Sequence, residues 1–172
     1  MKRLLLTICL VALAMQTAAA QTPRPARATT WATAKPKSCP RVGGDLLLNY
    51  ATKPAGLTLL GYKAGQPGGQ TIAVATYQVA GADAGKVEAF FRAHYGMGEL
   101  TFLCCGWEPA EGKQGEVESA ALRKLNPDYS LLLTMYSDAQ SMGEALASGD
   151  SGAWKDKRRV KRFLVEVKVM EI

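Results

Sequence analysis

The chain has 172 residues, one domain's worth of sequence and enough to bury a real core. Twenty-one Lys and Arg against fifteen Asp and Glu give a net charge of +6, with a single histidine and four cysteines. There is no zinc-finger spacing, no aromatic-basic ladder and no basic helical face, so nucleic acid is not an expected partner.

Residues 1–20 have the three parts of a signal peptide: Lys2 and Arg3, an apolar run from Leu4 to Ala14, and the small residues Ala18-Ala19-Ala20. The apolar run is short for a membrane span, and no second long run follows, so no transmembrane segment is expected after cleavage. Removal of residues 1–20 leaves 152 residues and lowers the net charge to +4. The expected location is periplasmic or secreted. Residues 21–37 are rich in Pro, Thr, Ala and Arg and have little to bury, which reads as a disordered leader with Trp31 as its one anchor. A single globular domain is expected over residues 38–172.

Within that domain, Asp45 after Gly43-Gly44 can cap a short helical turn. Leu57 to Lys63 and Gln70 to Val79 read as two strands joined by the turn signal GQPGG. That Gly-rich stretch has neither the lysine nor the following helix of a phosphate loop. Ala82 to Tyr95 is the principal helix, with Asp83 as its cap, Val87, Phe90, Phe91 and His94 as its inward stripe, and Lys86, Glu88 and Arg92 facing water. Gly96 ends it. Glu99 to Cys105 reads as a buried strand, Glu116 to Leu122 as ambiguous, and Tyr129 to Tyr136 as a strand. A short helix is expected at Ser141 to Ala147. In the final run, Phe163, Val165, Val167 and Val169 alternate with Leu164, Glu166, Lys168 and Met170, as in a half-buried antiparallel strand. The fold class is therefore α+β: a curved, mainly antiparallel sheet with one principal helix packed on one face.

Cleavage of the signal leaves Cys39, Cys104 and Cys105. In an oxidising compartment a structural disulfide is the default, pairing Cys39 with Cys104 or Cys105. Adjacent residues on a strand point to opposite faces, so only one of the pair reaches Cys39 easily. The bridge closes a loop of about 65 residues, nominally worth roughly 4 kcal/mol. A disulfide between Cys104 and Cys105 themselves is strained. The third thiol is most simply a buried, inert one. His94 lies at the far end of the cysteine strand, which argues against a Cys-His dyad or a metal site using it. Adjacent cysteines also lack the spacing of zinc or thioredoxin-like sites.

The Cys39 position, the hairpin ending YQVAG, the helix with VEAF and the run LTFLCCGWEP together resemble a family of small exported bacterial domains of unknown function that carry a Cys-Cys-Gly-Trp strand motif. The matching positions are Cys39, Cys104, Cys105, Gly106 and Trp107. The resemblance implies a secreted domain and attaches no chemistry to them.

No nucleophile elbow or metalloprotease helix is present, no catalytic residue is assigned, and neither a cofactor nor a metal is expected. The expected role is non-enzymatic, the binding of a protein or an envelope component through the sheet face or the Gly/Ser-rich loop. The alternative is a small-molecule-binding or hydrolytic domain with a pocket between helix and sheet, for which Trp107, Tyr77 and Glu108 are the candidate lining residues.

Overall fold

The computed structural model describes residues 42–66, 68–149 and 152–172, all within the unit Ser38–Ile172. The expected signal peptide and leader, Trp31 and Cys39 lie outside the described residues. In chain order the elements are α1 (Leu46–Tyr50), β1 (Thr58–Ala64), β2 (Thr71–Ala80), α2 (Gly81–Tyr95), β3 (Leu100–Leu103), β4 (Gly106–Pro109), β5 (Gly115–Val117), α3 (Ala120–Leu125), β6 (Tyr129–Ser137), α4 (Ala139–Ala147) and β7 (Arg162–Glu171). Short 3₁₀ turns lie at Ala110–Gly112, Ala153–Lys155 and Lys157–Arg159.

Five strands form one sheet in the order β1-β2-β7-β6-β5, and every neighbouring pair is antiparallel. The last strand in sequence is therefore the middle strand in space. Its alternation explains why. Phe163, Val165, Val167 and Val169 are all fully buried, and their cross-strand partners Val79, Tyr77, Ala75 and Ala73 on β2 are buried with them. Leu131, Leu133 and Met135 of β6 line the same face. The β1–β2 pair is the hairpin expected from its turn signal, with a bulge between Leu59 and Gly61. Leu60 is the extra residue at the bulge, so Leu59 and Tyr62, three apart rather than two, both pack toward the core.

The core is completed from the helices on this inner face. Leu46 and Leu47 of α1, Ala84, Val87 and Phe91 of α2, Leu122 of α3 and Met142 of α4 all join it. Asp45 caps α1, accepting from the Leu48 amide, as the sequence indicates. Its other contacts reach further: Tyr77 donates its hydroxyl hydrogen to Asp45 Oδ1 at 2.8 Å, and Lys53 pairs with Oδ2 at 2.8 Å. The Tyr77 oxygen in turn accepts from the Leu47 amide. Burial holds this phenol protonated by pushing its pKa up.

Helix α2 departs from the expected arrangement in two respects. It starts at Gly81 with Ala80 in the cap position, two residues before Asp83. A side chain at position 81 would collide with the Val160 carbonyl, 1.8 Å from where a Cβ would stand, so the close approach of β7's lead-in requires glycine. The inward stripe is Ala84, Val87, Glu88 and Phe91, whereas His94 is exposed and Phe90 half-buried. Glu88 turns inward because it has partners there. Its Oε1 accepts from the Leu100 amide at 2.7 Å, and its Oε2 pairs with Lys157 at 2.7 Å. One carboxylate thus ties α2 to β3 and to the turn before β7. His94 donates its Nδ1 hydrogen to the Phe90 carbonyl and stacks on the Phe90 ring.

The run from Glu99 to Cys105 is not a single strand. β3 ends at Leu103, the chain reverses through Cys104 and Cys105, and β4 returns, with Leu103 facing Gly106 and Phe102 facing Trp107. Four residues, three of them apolar, form β3, and the left-handed Cys104 turns the chain back. The ambiguous stretch resolves into β5 and the start of α3, which is capped by Ser119.

Among the described residues no helix is long and apolar enough to cross a membrane.

Two measurements check this account. Glu88→Ala strands Lys157 and the Leu100 amide together and should lower unfolding free energy by about 2–3 kcal/mol, a value moderated by Lys157's partial exposure; Glu88→Gln, which still accepts from Leu100, should lose less in denaturant titration. For Asp45, burial pushes the carboxyl up, but the Lys53, Leu48 and Tyr77 bonds outweigh it and leave it lowered. For Asp138, burial is likewise outweighed by Arg162 and by the amide and hydroxyl of Ser141. Depressed folded-state values stabilise the fold above the unfolded carboxyl value, and that contribution is lost as pH falls through the folded values. Stability should hold down to about pH 4 and fall below it, and Asp138→Asn should flatten the acid limb.

Candidate functional site

Three features are available: the β3–β4 hairpin, the outer face of the sheet, and two surface cavities. The hairpin carries most of the residues that the sequence singles out. Trp107 is half-buried. Its indole Nε1 donates to the Trp154 carbonyl at 3.0 Å, and its amide donates to Ser137 Oγ at 2.8 Å. Phe102 meets Trp107 edge-on at 5.8 Å and Trp154 at 4.6 Å between ring centroids. Lys157 Nζ lies 5.0 Å from the Trp107 ring centroid while it serves Glu88. This cluster fastens the hairpin base to the end of β6 and to the turn at Ala153–Lys155. Trp107 therefore acts here as an anchor, a role that its ring size and its one polar handle suit.

The tip beyond the anchor is different. Leu103, Cys104, Cys105 and Glu108 are exposed. Cys104 takes a φ of +53°, in the left-handed region that favours glycine. The Cys105 amide donates back across it to the Leu103 carbonyl, closing a three-residue γ-turn. Cys104 and Cys105 are both free thiols, and neither is bonded to another cysteine. The turn also removes the strand alternation expected of them, and the Cys105 thiol lies beside that of Cys104. The neighbouring Cys104 thiol first, and the Glu108 carboxylate after it, push the Cys105 thiol up.

Tyr77 is fully buried beneath α1, far from being a lining residue, and Glu108 is a solvated carboxylate on β4. The space between α2 and the sheet is filled by Ala84, Val87 and Phe91 against the strand residues. Trp107, Tyr77 and Glu108 do not share a cavity. One cavity of about 410 Å³ is lined by Thr58, Gln78, Gln140, Ser141, Lys161 and Arg162 among others. Arg162 is committed there to Asp138, which it meets at 2.9 Å. A wider groove of about 820 Å³ lies at the turn end of the β1–β2 hairpin, with Val42, Tyr62, Ile72, Asn126, Tyr129 and Glu171 in its walls.

The outer face of the sheet was visible in the alternation but not in its extent. Register places Lys63, Val74, Lys168, Leu132 and Glu116 in one cross-strand row, and Thr58, Gln78, Leu164 and Tyr136 in another. Between them run Gly61, Thr76, Glu166 and Thr134. Glu166 and Lys168 pair with each other at 2.7 Å. The helix residues all join the inner-face cluster, and of the outward positions on β2, β6 and β7 only Ile72 packs against it. Sequence reasoning also passed over Glu88 and Asp138 as organising groups. Glu88 sits four residues after Ala84 and three before Phe91, a placement on the apolar stripe that signals inward orientation.

Residues 30–107 match the profile of a domain of unknown function, DUF4952. The match runs from ahead of α1 through the first residues of β4, and so takes in the Cys-Cys tip and Trp107. It supports an uncharacterised domain family and assigns no activity. No curated protein and no solved structure gives a match.

The left-handed Cys104 yields a direct test. Cys104→Gly relieves the conformational penalty and should raise stability by about 1 kcal/mol, read as an increase in Tm; an unchanged or lowered Tm would mean the tip carries no such strain.

Proposed function

We propose that this is an exported, non-catalytic binding domain that engages a protein partner through the outer face of its five-stranded sheet. One observation carries the reading. Helices α1, α2 and α3 pack on the inner face and α4 lies at one end of the sheet beside Thr58 and Gln78, while the outer face presents Val74, Leu132, Leu164 and Tyr136 among threonines, with its central charges paired to each other. Ten residues along β7 and four inter-strand spacings span roughly 34 by 19 Å, or about 650 Å². That is close to the ~800 Å² per partner of a standard interface. Two acids and two bases leave the face neutral, so the partner is a flat, weakly charged protein surface rather than a polyanion or an anionic membrane. The filled interior under α2 supports binding at a surface over catalysis in a pocket between helix and sheet.

The groove by Tyr62 and Tyr129 favours a second reading, small-molecule binding, since its volume falls within the range of ligand sites and its aromatic walls suit an apolar ligand.

A photo-crosslinking residue at Thr134 or Thr76 tests the first reading in cells that make the protein. A discrete adduct at these positions, absent when the crosslinker replaces Lys86 on α2, is the expected result. Leu164→Glu should then weaken the purified complex at least about tenfold, the effect of one buried charge left unpaired. An adduct to a second copy of the chain would replace the heterologous partner with a dimer. Equal labelling at Lys86, or none at either strand position, overturns the proposal.

A further inference from the structure

We infer that the Cys104–Cys105 tip of the β3–β4 hairpin is a two-sulfur binding site for a soft monovalent metal ion of the Cu(I) type. The argument begins with the turn. On a strand the two side chains would diverge, but the left-handed φ of Cys104 and the γ-turn across it set both thiols side by side at the tip. Both are free and both are exposed, so no rearrangement is needed for access. A residue other than glycine held at positive φ at a tight tip is a local cost, and such costs concentrate where geometry serves a ligand. The hairpin base is rigid, pinned by Trp107 to Trp154 and Ser137.

The ligand set then points to the ion. Soft thiolate ligands select Cu(I) among the available metals. Among the described residues no group of three or more His, Cys, Asp or Glu converges, so a tetrahedral ion such as Zn²⁺ lacks its ligand set. Binding forms two sulfur–metal bonds and releases both thiol protons to solvent, or one if a proton has already left the pair. Nothing is oxidised or reduced.

The test uses the full chain with Cys9→Ser and Cys39→Ser, which leaves this pair as its only thiols. The reduced protein is titrated anaerobically with Cu(I) against bicinchoninate, and sulfur-to-copper absorption is followed in the near ultraviolet. The expected result is one Cu(I) retained per chain, lost on adding either Cys104→Ser or Cys105→Ser, with Zn²⁺ not retained. Matching Tm values across the set exclude unfolding as the cause. Should the parent variant fold poorly, the native chain and its C104S/C105S form give the reciprocal comparison: one Cu(I) against none. Retention that survives loss of Cys104 or Cys105, or that requires Cys39, overturns the two-sulfur site, as does no retention in the folded parent.

Discussion

The middle position of β7 is the constraint on which the other elements depend. A strand flanked on both sides must bury one whole face, and β7 does so with Phe163 and three valines at every second residue. Each such side chain removes roughly 1.5–3 kcal/mol of apolar surface from water. Because β2 and β6 both pair with it, neither half of the sheet is complete until residues 162–171 are in place. The β2–β7 ladder joins segments some ninety residues apart in sequence, so the sheet is assembled from non-local contacts and should form slowly for its size. A helix on the inner face can then dock only against a finished surface.

Polar groups fix how the remaining pieces sit on that surface. Asp45, Glu88 and Asp138 each stand at a junction and each is satisfied by several donors. Asp45 joins α1 to β2 through Tyr77. Glu88 joins α2 to β3 and Lys157, and Asp138 joins the cap of α4 to Arg162 at the start of β7. Glu88 and Asp138 are buried and Asp45 is half-buried; carboxylates so placed are costly to desolvate, and they specify one arrangement by penalising every other. They leave the outer sheet face and the hairpin tip as the surfaces not engaged in holding the domain together. The two proposals therefore concern separate parts of the molecule. The outer face is broad and neutral, suited to a macromolecule, and the tip is narrow and sulfur-bearing, suited to an ion.

The sequence by itself determined the alternation of β2, β6 and β7, the β1–β2 hairpin, the extent of α2 to within a residue or two, and hence the α+β class. These are local patterns, since period two and period 3.6 are written in the order of the side chains. It also marked TFLCCGWEP as the distinctive stretch. Only the tertiary structure decided that this stretch is a hairpin. Leu-Thr-Phe-Leu followed by Cys-Cys-Gly reads equally well as one longer strand, and the choice rests on Trp107 finding Phe102, Trp154 and Ser137, contacts that span up to 47 residues. The same holds for Glu88, whose inward turn depends on Lys157, 69 residues away, and for Tyr77, which the period-two pattern put on a face but could not put under α1. Where a residue's environment comes from its neighbours in sequence, the sequence sufficed. Where it comes from a partner brought in by the pairing of β7, only the assembled sheet could supply it.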